Sequence, residues 1–299
     1  MSTVPAWLDR TLYPFTSHWL DLEGGRMHYI DEGVGEPIVF VHGTPTWSFL
    51  YRQIITAMAP TYRCLATDQL GFGLSDKPAT GDYSFAAHTR NLTALVNHLG
   101  LERFTLVVHD LGGPIGLALA LAQPERISRL VISNTTLWPM EGAFAPPAVA
   151  KLFATALGRF LYLQLNISPR TLLPMIYADR TKLTPAIHQH YLAPFPGAAD
   201  RHALYAFAQQ VATGFSALRD LWAQRERIVP IPTLLIWGMR DLAFGPPFLA
   251  HWREFLPQAE VVEVASSSHF VQEEAPEVFI NALRVFMGAA NRRAAVGPA

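Results

Sequence analysis

The sequence predicts an α/β protein: a mostly parallel central sheet with helices on both faces, interrupted by an inserted helical cap. Three observations predict it. Short, continuously apolar runs alternate with helical patterns over residues 1–137 and again over 230–299, the mark of strands buried on both faces and joined by helices. Between them, over 138–229, apolar and aromatic residues recur at helical spacing and are repeatedly broken by proline. Residues capable of chemistry fall at the carboxyl ends of the strands, where such sheets collect function. The expected division is therefore a core of 1–137 with 230–299, and a cap (lid) of 138–229.

The elements follow in order. Residues 18–23 and 26–32 read as two strands turned by Gly24 and Gly25. Pro37 to His42 is an unbroken apolar strand, and a helix over about 47–59 follows the turn His42-Gly43-Thr44-Pro45. Residues 62–67 form the next buried strand, which ends in the turn-rich loop Asp68 to Pro78. The pattern over 83–99 is helical, and Gly100 stops it. A strand from Phe104 to His109, a sharp turn at Asp110 and Leu111, and an Ala/Leu-rich helix come next, then a strand over 127–133. Beyond the cap, a strand over 231–237 ends in Gly238-Met239-Arg240-Asp241. A helix over 246–255 and a strand over 260–264 lead to Ser268-His269-Phe270. A helix over 276–287 closes the core, and 289–299 is expected to fray.

Bulk properties narrow the function. Of 299 residues, half are hydrophobic and 16% charged, enough to bury a substantial core. A net charge of −1 gives no basic field for nucleic acid or an anionic membrane. The single cysteine, Cys64, precludes an internal disulfide and points to a reducing compartment. No apolar leader opens the chain and no run reaches the length of a membrane span. The expectation is a cytoplasmic protein, a monomer or small homo-oligomer, that acts on a small molecule. No phosphate loop or dinucleotide fingerprint occurs, and His28, His188, His190 and Cys64 lack metal-ligand spacing. No cofactor is implied.

The stretch around Asp110 carries the chemistry. A serine hydrolase would show G-x-S-x-G between such a strand and helix, with its nucleophile on a strained turn. Here the pattern is His109-Asp110-Leu111-Gly112, with a carboxylate at the apex. A carboxylate can act as a nucleophile, forming an ester that water later hydrolyses. Asp is also a favoured helix N-cap, and the motif alone leaves both readings open. Asp241 and His269, at two later strand ends, complete the chain order nucleophile, acid, histidine used by α/β-hydrolases. His109 reads as a packed strand residue, and Asp68 as an acid that holds its own loop.

Several stretches together resemble the haloalkane dehalogenase family of α/β-hydrolases over nearly the whole chain. They are Pro5 to Arg10, Gly25 to Glu32, His42 to Arg52, Asp68 to Pro78, Val108 to Gly113, Trp237 to Asp241 and Ser268 to Phe270. The resemblance implies the α/β-hydrolase fold, with Asp110 as nucleophile, His269 as base and Asp241 as its orienting acid. It implies hydrolytic dehalogenation of small apolar haloalkanes through an alkyl-enzyme ester. The backbone N–H groups of Thr44 and Leu111 are the natural oxyanion donors for ester hydrolysis.

The chain also departs from that family. Dehalogenases usually place tryptophan directly after the nucleophile, where the indole N–H binds the leaving halide, and often asparagine after His-Gly. This chain has Leu111, with no side-chain donor, and Thr44. Trp138 could bring an indole N–H to the site, or be a core residue at the hinge of the lid. The same ester chemistry on an oxygen leaving group would make an epoxide hydrolase, for which the lid offers Tyr162, Tyr177, Tyr191 and Tyr205, or a β-lactone-processing enzyme. A non-catalytic ligand-binding homologue is the reading from another class. The lid residues expected to shape an apolar pocket are Phe144, Phe153, Leu157, Leu161, Leu172, Met175, Phe207 and Phe215.

Overall fold

The computed structural model of the chain describes residues 4–139, 151–213 and 216–295. Eight strands form one sheet: β1 (His18–Leu22), β2 (Gly25–Glu32), β3 (Pro37–Val41), β4 (Arg63–Thr67), β5 (Phe104–His109), β6 (Ile127–Ser133), β7 (Thr233–Gly238) and β8 (Glu260–Val264). Their order across the sheet is β1-β2-β4-β3-β5-β6-β7-β8. β1 and β2 form the expected hairpin, and β2 joins β4 antiparallel. Every later pairing is parallel.

Strict alternation along the central strands builds two cores. Val39 and Val41 of β3, with Leu106 and Val108 of β5, face one cluster; it includes Leu92 and Leu95 of helix Phe85–His98, Ile115 and Leu119 of helix Gly112–Ala122, and Trp252 of helix Pro246–Phe255. Ile38 and Phe40, with Val107, face the other, which holds Ile54 and Ile55 of helix Arg52–Met58 and Phe279 and Leu283 of the last helix. Burial on both faces is why these strands lack polar alternation in sequence. Helix Gly112–Ala122 is apolar nearly all round because it is buried nearly all round.

The strands and the main helices of the core match the sequence expectation in order and type, with differences at the ends and a short helix, Val271–Glu274, that was not expected. The helix expected over 47–59 begins as a 3₁₀ turn, Ser48–Tyr51, before helix Arg52–Met58. The last helix runs from Pro276 to Ala295, which corrects the fraying expected over 289–295; the rest of that expectation, 296–299, lies outside the described residues. Gly288 costs only about 1 kcal/mol in a helix, and the Ala and Arg residues after it favour one. Between β6 and β7 the described residues form only helices and turns, among them Ala156–Leu163, Pro185–Leu192 and His202–Ala212. Proline starts some of these helices: Pro185 takes the first helical position after Thr184, whose hydroxyl accepts the Ile187 N–H at 3.3 Å. This segment packs on both cores, with Phe207 in one and Leu173 and Tyr191 in the other. Among the described residues no helix is long and apolar enough to cross a membrane.

Candidate active site

Asp110 directly follows β5 at φ +52°, a left-handed conformation that costs a non-glycine residue on the order of 1–3 kcal/mol. The surroundings hold it there. Its N–H donates to Asn134 O at 3.2 Å, and its carbonyl accepts from Gly113 N–H at 2.9 Å and from the Thr135 hydroxyl. The turn needs glycine on both sides of the carboxylate. A Cβ on Gly43 would lie 2.0 Å from Asp110 Oδ1, and one on Gly112 would lie 2.4 Å from Val41 O.

The capping reading of Asp110 does not hold in this geometry. Helix Gly112–Ala122 has no side-chain cap hydrogen bond. The Asp110 carboxylate turns instead to the opposite loop, where Oδ1 accepts the Thr44 N–H at 2.7 Å. Oδ2 lies 3.5 Å from Nε2 of His269. The His269 Nδ1–H in turn donates to Asp241 Oδ2 at 2.8 Å. The three residues named from the strand ends therefore stand within reach of one another, although they are far apart in sequence.

Each ionisable group has a physical cause for its state. Burial works against charge on His269, but Asp241 and Asp110 outweigh it and push the imidazole up to about 10. Burial also opposes charge on Asp241. His269, with donors from Ala243 N–H at 2.7 Å and Asn134 Nδ2 at 2.9 Å, outweighs it and holds the carboxyl below its usual range. His109 is buried and pushed down to about 3 by desolvation. Its Nε2–H donates to His269 O at 2.9 Å, so a neutral ring beside the nucleophile steadies the backbone of the histidine. Asp68 binds Ser48 N–H, Leu74 N–H and the His28 ring, each within 2.9 Å, and so ties its loop down.

A cavity of about 290 Å³ opens on Asp110 and His269, near the small end of the range for small-molecule sites. Thr44 and Leu111 line it, and of the expected lid residues so do Phe153, Leu172 and Met175. Among the described residues its polar side chains besides Asp110 and His269 are Thr44, Tyr162 and Ser168. The Thr44 hydroxyl is buried without a hydrogen-bond partner among the described residues.

Other expected residues lie elsewhere. Trp138 is not in the cavity wall. Its ring packs among Trp222, Phe248, His251 and Trp252, so it sits as a core residue rather than at the cavity. Phe207 packs in the core against Phe72 and Phe85, and Leu157 is exposed. Leu161 is outside the cavity lining, while Phe144 and Phe215 lie outside the described residues. Of the four tyrosines expected in the lid, only Tyr162 reaches the cavity; the Tyr191 hydroxyl donates to Glu273. Sequence reasoning gave Asn134 no role, yet its amide bridges Asp241, Gly238 O and Phe244 O. Its place after β6, beside the other strand ends, was the available signal. Among the described residues no group of three or more His, Cys, Asp or Glu could hold a metal ion.

This sheet, with a strained carboxylate turn at β5 and an acid and histidine after β7 and β8, defines an α/β-hydrolase. The chain matches the family model described as alpha/beta hydrolase fold over residues 36–276. It is 39% identical over 275 residues to haloalkane dehalogenase 2 of Mycobacterium tuberculosis, covering 90% of this chain and 94% of that protein. It is 37% identical over 286 residues to a cis-3-alkyl-4-alkyloxetan-2-one decarboxylase of Shewanella oneidensis, covering 93% and 90%. The solved structure of haloalkane dehalogenase DatA from Agrobacterium tumefaciens C58 superposes with a TM-score of 0.82 at 27% identity, over 92% of this chain and 96% of that one. The chain belongs to the haloalkane dehalogenase family of α/β-hydrolases and is a hydrolytic enzyme.

Proposed function

We propose that this hydrolase dehalogenates small, largely apolar haloalkanes through an ester on Asp110. The observation that carries the proposal is the unequal setting of the two carboxylate oxygens. Oδ1 is tied to the Thr44 N–H at 2.7 Å, whereas Oδ2 faces His269 at 3.5 Å. Oδ2 attacks the saturated carbon in line with the leaving group, forming the C–O bond as the carbon–halogen bond breaks. Alkylation removes the Asp110 charge, one of the two that hold a proton on His269. The imidazole can then give up that proton to solvent water and act as base. Water attacks the ester carbonyl, His269 takes its proton, and Asp241 stabilises the resulting cation. Thr44 and Leu111 N–H are the proposed oxyanion donors. On this proposal residues 138–229 act as the lid over a core of 1–137 and 230–299.

A second reading keeps the nucleophile and changes the leaving group. Leu111 lines the cavity without a side-chain donor, and the cavity's neutral polar side chains are the hydroxyl-bearing Thr44, Tyr162 and Ser168. A β-lactone carries its leaving oxygen in the same molecule and needs no halide site. The decarboxylase relative named above acts on a ring of that kind. An epoxide hydrolase with two lid tyrosines finds less support, because only Tyr162 reaches the cavity.

The test is a parallel assay of 1,2-dibromoethane, styrene oxide and β-butyrolactone. Dehalogenation requires bromide release that saturates with substrate and vanishes in Asp110→Asn. Turnover of the lactone alone would replace the first reading with the second, and saturable binding without turnover would favour a binding protein.

A further inference from the structure

We propose that His42, which is not part of the cavity wall, is a positioning residue for ester hydrolysis: it holds the Gly43–Thr44 peptide so that the Thr44 N–H stays aimed at Oδ1 of Asp110. The inference rests on the Asp110 ester reading above.

His42 is fully buried just beyond β3. The Gln69 N–H donates to its Nε2 at 2.9 Å. A ring nitrogen that accepts from an amide carries no proton, so the neutral ring is protonated on Nδ1. Burial favours that neutral ring by lowering its proton affinity. The Nδ1–H then donates to Gly43 O at 2.7 Å. The Thr46 hydroxyl donates to the same oxygen at 3.1 Å. Gly43 C=O and Thr44 N–H belong to one planar peptide and point in opposite directions. Fixing the carbonyl therefore fixes the N–H, which meets Asp110 Oδ1 at 2.7 Å.

The two chemical steps need that N–H unequally. In alkylation, negative charge leaves the Asp110 carboxylate, so a donor on Oδ1 gives the transition state no advantage. In hydrolysis, the water oxygen bonds to the ester carbon, its proton passes to His269, and the carbonyl electron pair moves onto Oδ1. Collapse breaks the bond between that carbon and the alkyl oxygen, which takes the proton from His269 and leaves as the alcohol. Charge develops on Oδ1 only in this second step, where an aimed donor counts most.

Two replacements separate donation from acceptance. Asn places an N–H donor where Nδ1 stands; Gln places an acceptor where Nε2 stands. The electrophile that labels His269→Ala most strongly, among 1,2-dibromoethane, styrene oxide and β-butyrolactone, is followed by rapid quench and intact mass. His42→Gln is expected to alkylate within about twofold of the parent but to hydrolyse the ester at least about tenfold more slowly. The ester should accumulate on Asp110. His42→Asn should hydrolyse it several-fold faster than His42→Gln. Equal slowing in both variants, or alkylation and hydrolysis falling together, overturns the proposal. If none of the three electrophiles labels His269→Ala, the ester reading itself fails and takes this inference with it. Should a variant not fold, imidazole nitrogen NMR of the parent decides. An Nδ1-protonated His42 from pH 5 to 8 supports the proposal, and an Nε2-protonated ring overturns it.

Discussion

The amide of Thr44 donates to Oδ1 of Asp110 at 2.7 Å and so makes the two oxygens of one carboxylate unlike. The tied oxygen is suited to become an ester carbonyl, and the other to form the bond to carbon. The backbone around them is built for this contact. Gly43 leaves no Cβ in the way, and Asp110 is held in a left-handed turn.

His269→Ala should leave the first step intact and remove the base from the second. Incubation with 1,2-dibromoethane should raise the intact mass by one bromoethyl group, located on Asp110 by peptide mapping. The parent should show the adduct only transiently. A variant that turns over at the parent rate would deny His269 its role.

Leu111→Trp should speed halide departure. Leu111 lines the cavity and supplies no side-chain donor. An indole N–H on the leaving halide is a charge-assisted hydrogen bond of about 1.5–3 kcal/mol, or roughly one to two decades of rate. Stopped-flow bromide release is the measurement. Unchanged or slower release would mean that another group already holds the halide, with the buried unpartnered Thr44 hydroxyl as the first candidate, or that the indole does not fit.

Acid should destabilise the fold partly through His88. This ring is fully buried, both nitrogens lack partners among the described residues, and desolvation pushes it down to about 3. Below the unfolded value of about 6.5 the unfolded chain takes up a proton that the folded ring refuses. Its contribution is therefore present above about pH 6.5 and lost as pH falls toward 3. Between pH 7 and 5 that loss is about 2 kcal/mol for this one group. In urea titrations at the two pH values, His88→Leu should lose about that much less stability than the parent. Equal losses would show that His88 protonates in the folded state.

The core was legible because its strands are short apolar runs whose ends are marked by a change in chemistry: His109 to Asp110, Gly238 to Asp241, Val264 to His269. A parallel sheet brings such ends to one edge, so three distant residues could be grouped without coordinates. Side-chain direction beyond a strand end was not legible. Trp138 follows β6 closely, yet its ring sits in an aromatic cluster with Trp222 and Trp252. Residues 138–229 were the least readable part. Phe207 and Met175 have the same apolar character in sequence, but Met175 lines the cavity and Phe207 fills the core. Asn134 shows the same limit from the polar side, since its partner Asp241 is 107 residues away.

A single turnover in heavy-oxygen water, with enzyme in excess over 1,2-dibromoethane, examines the ester on Asp110 most directly. Water attacks the carboxyl carbon in the proposed chemistry, so one heavy oxygen should appear in the peptide carrying Asp110 and the first alcohol formed should be unlabelled. Heavy oxygen in the alcohol, with the Asp110 peptide unchanged, would contradict covalent catalysis and show that water attacks the substrate carbon itself.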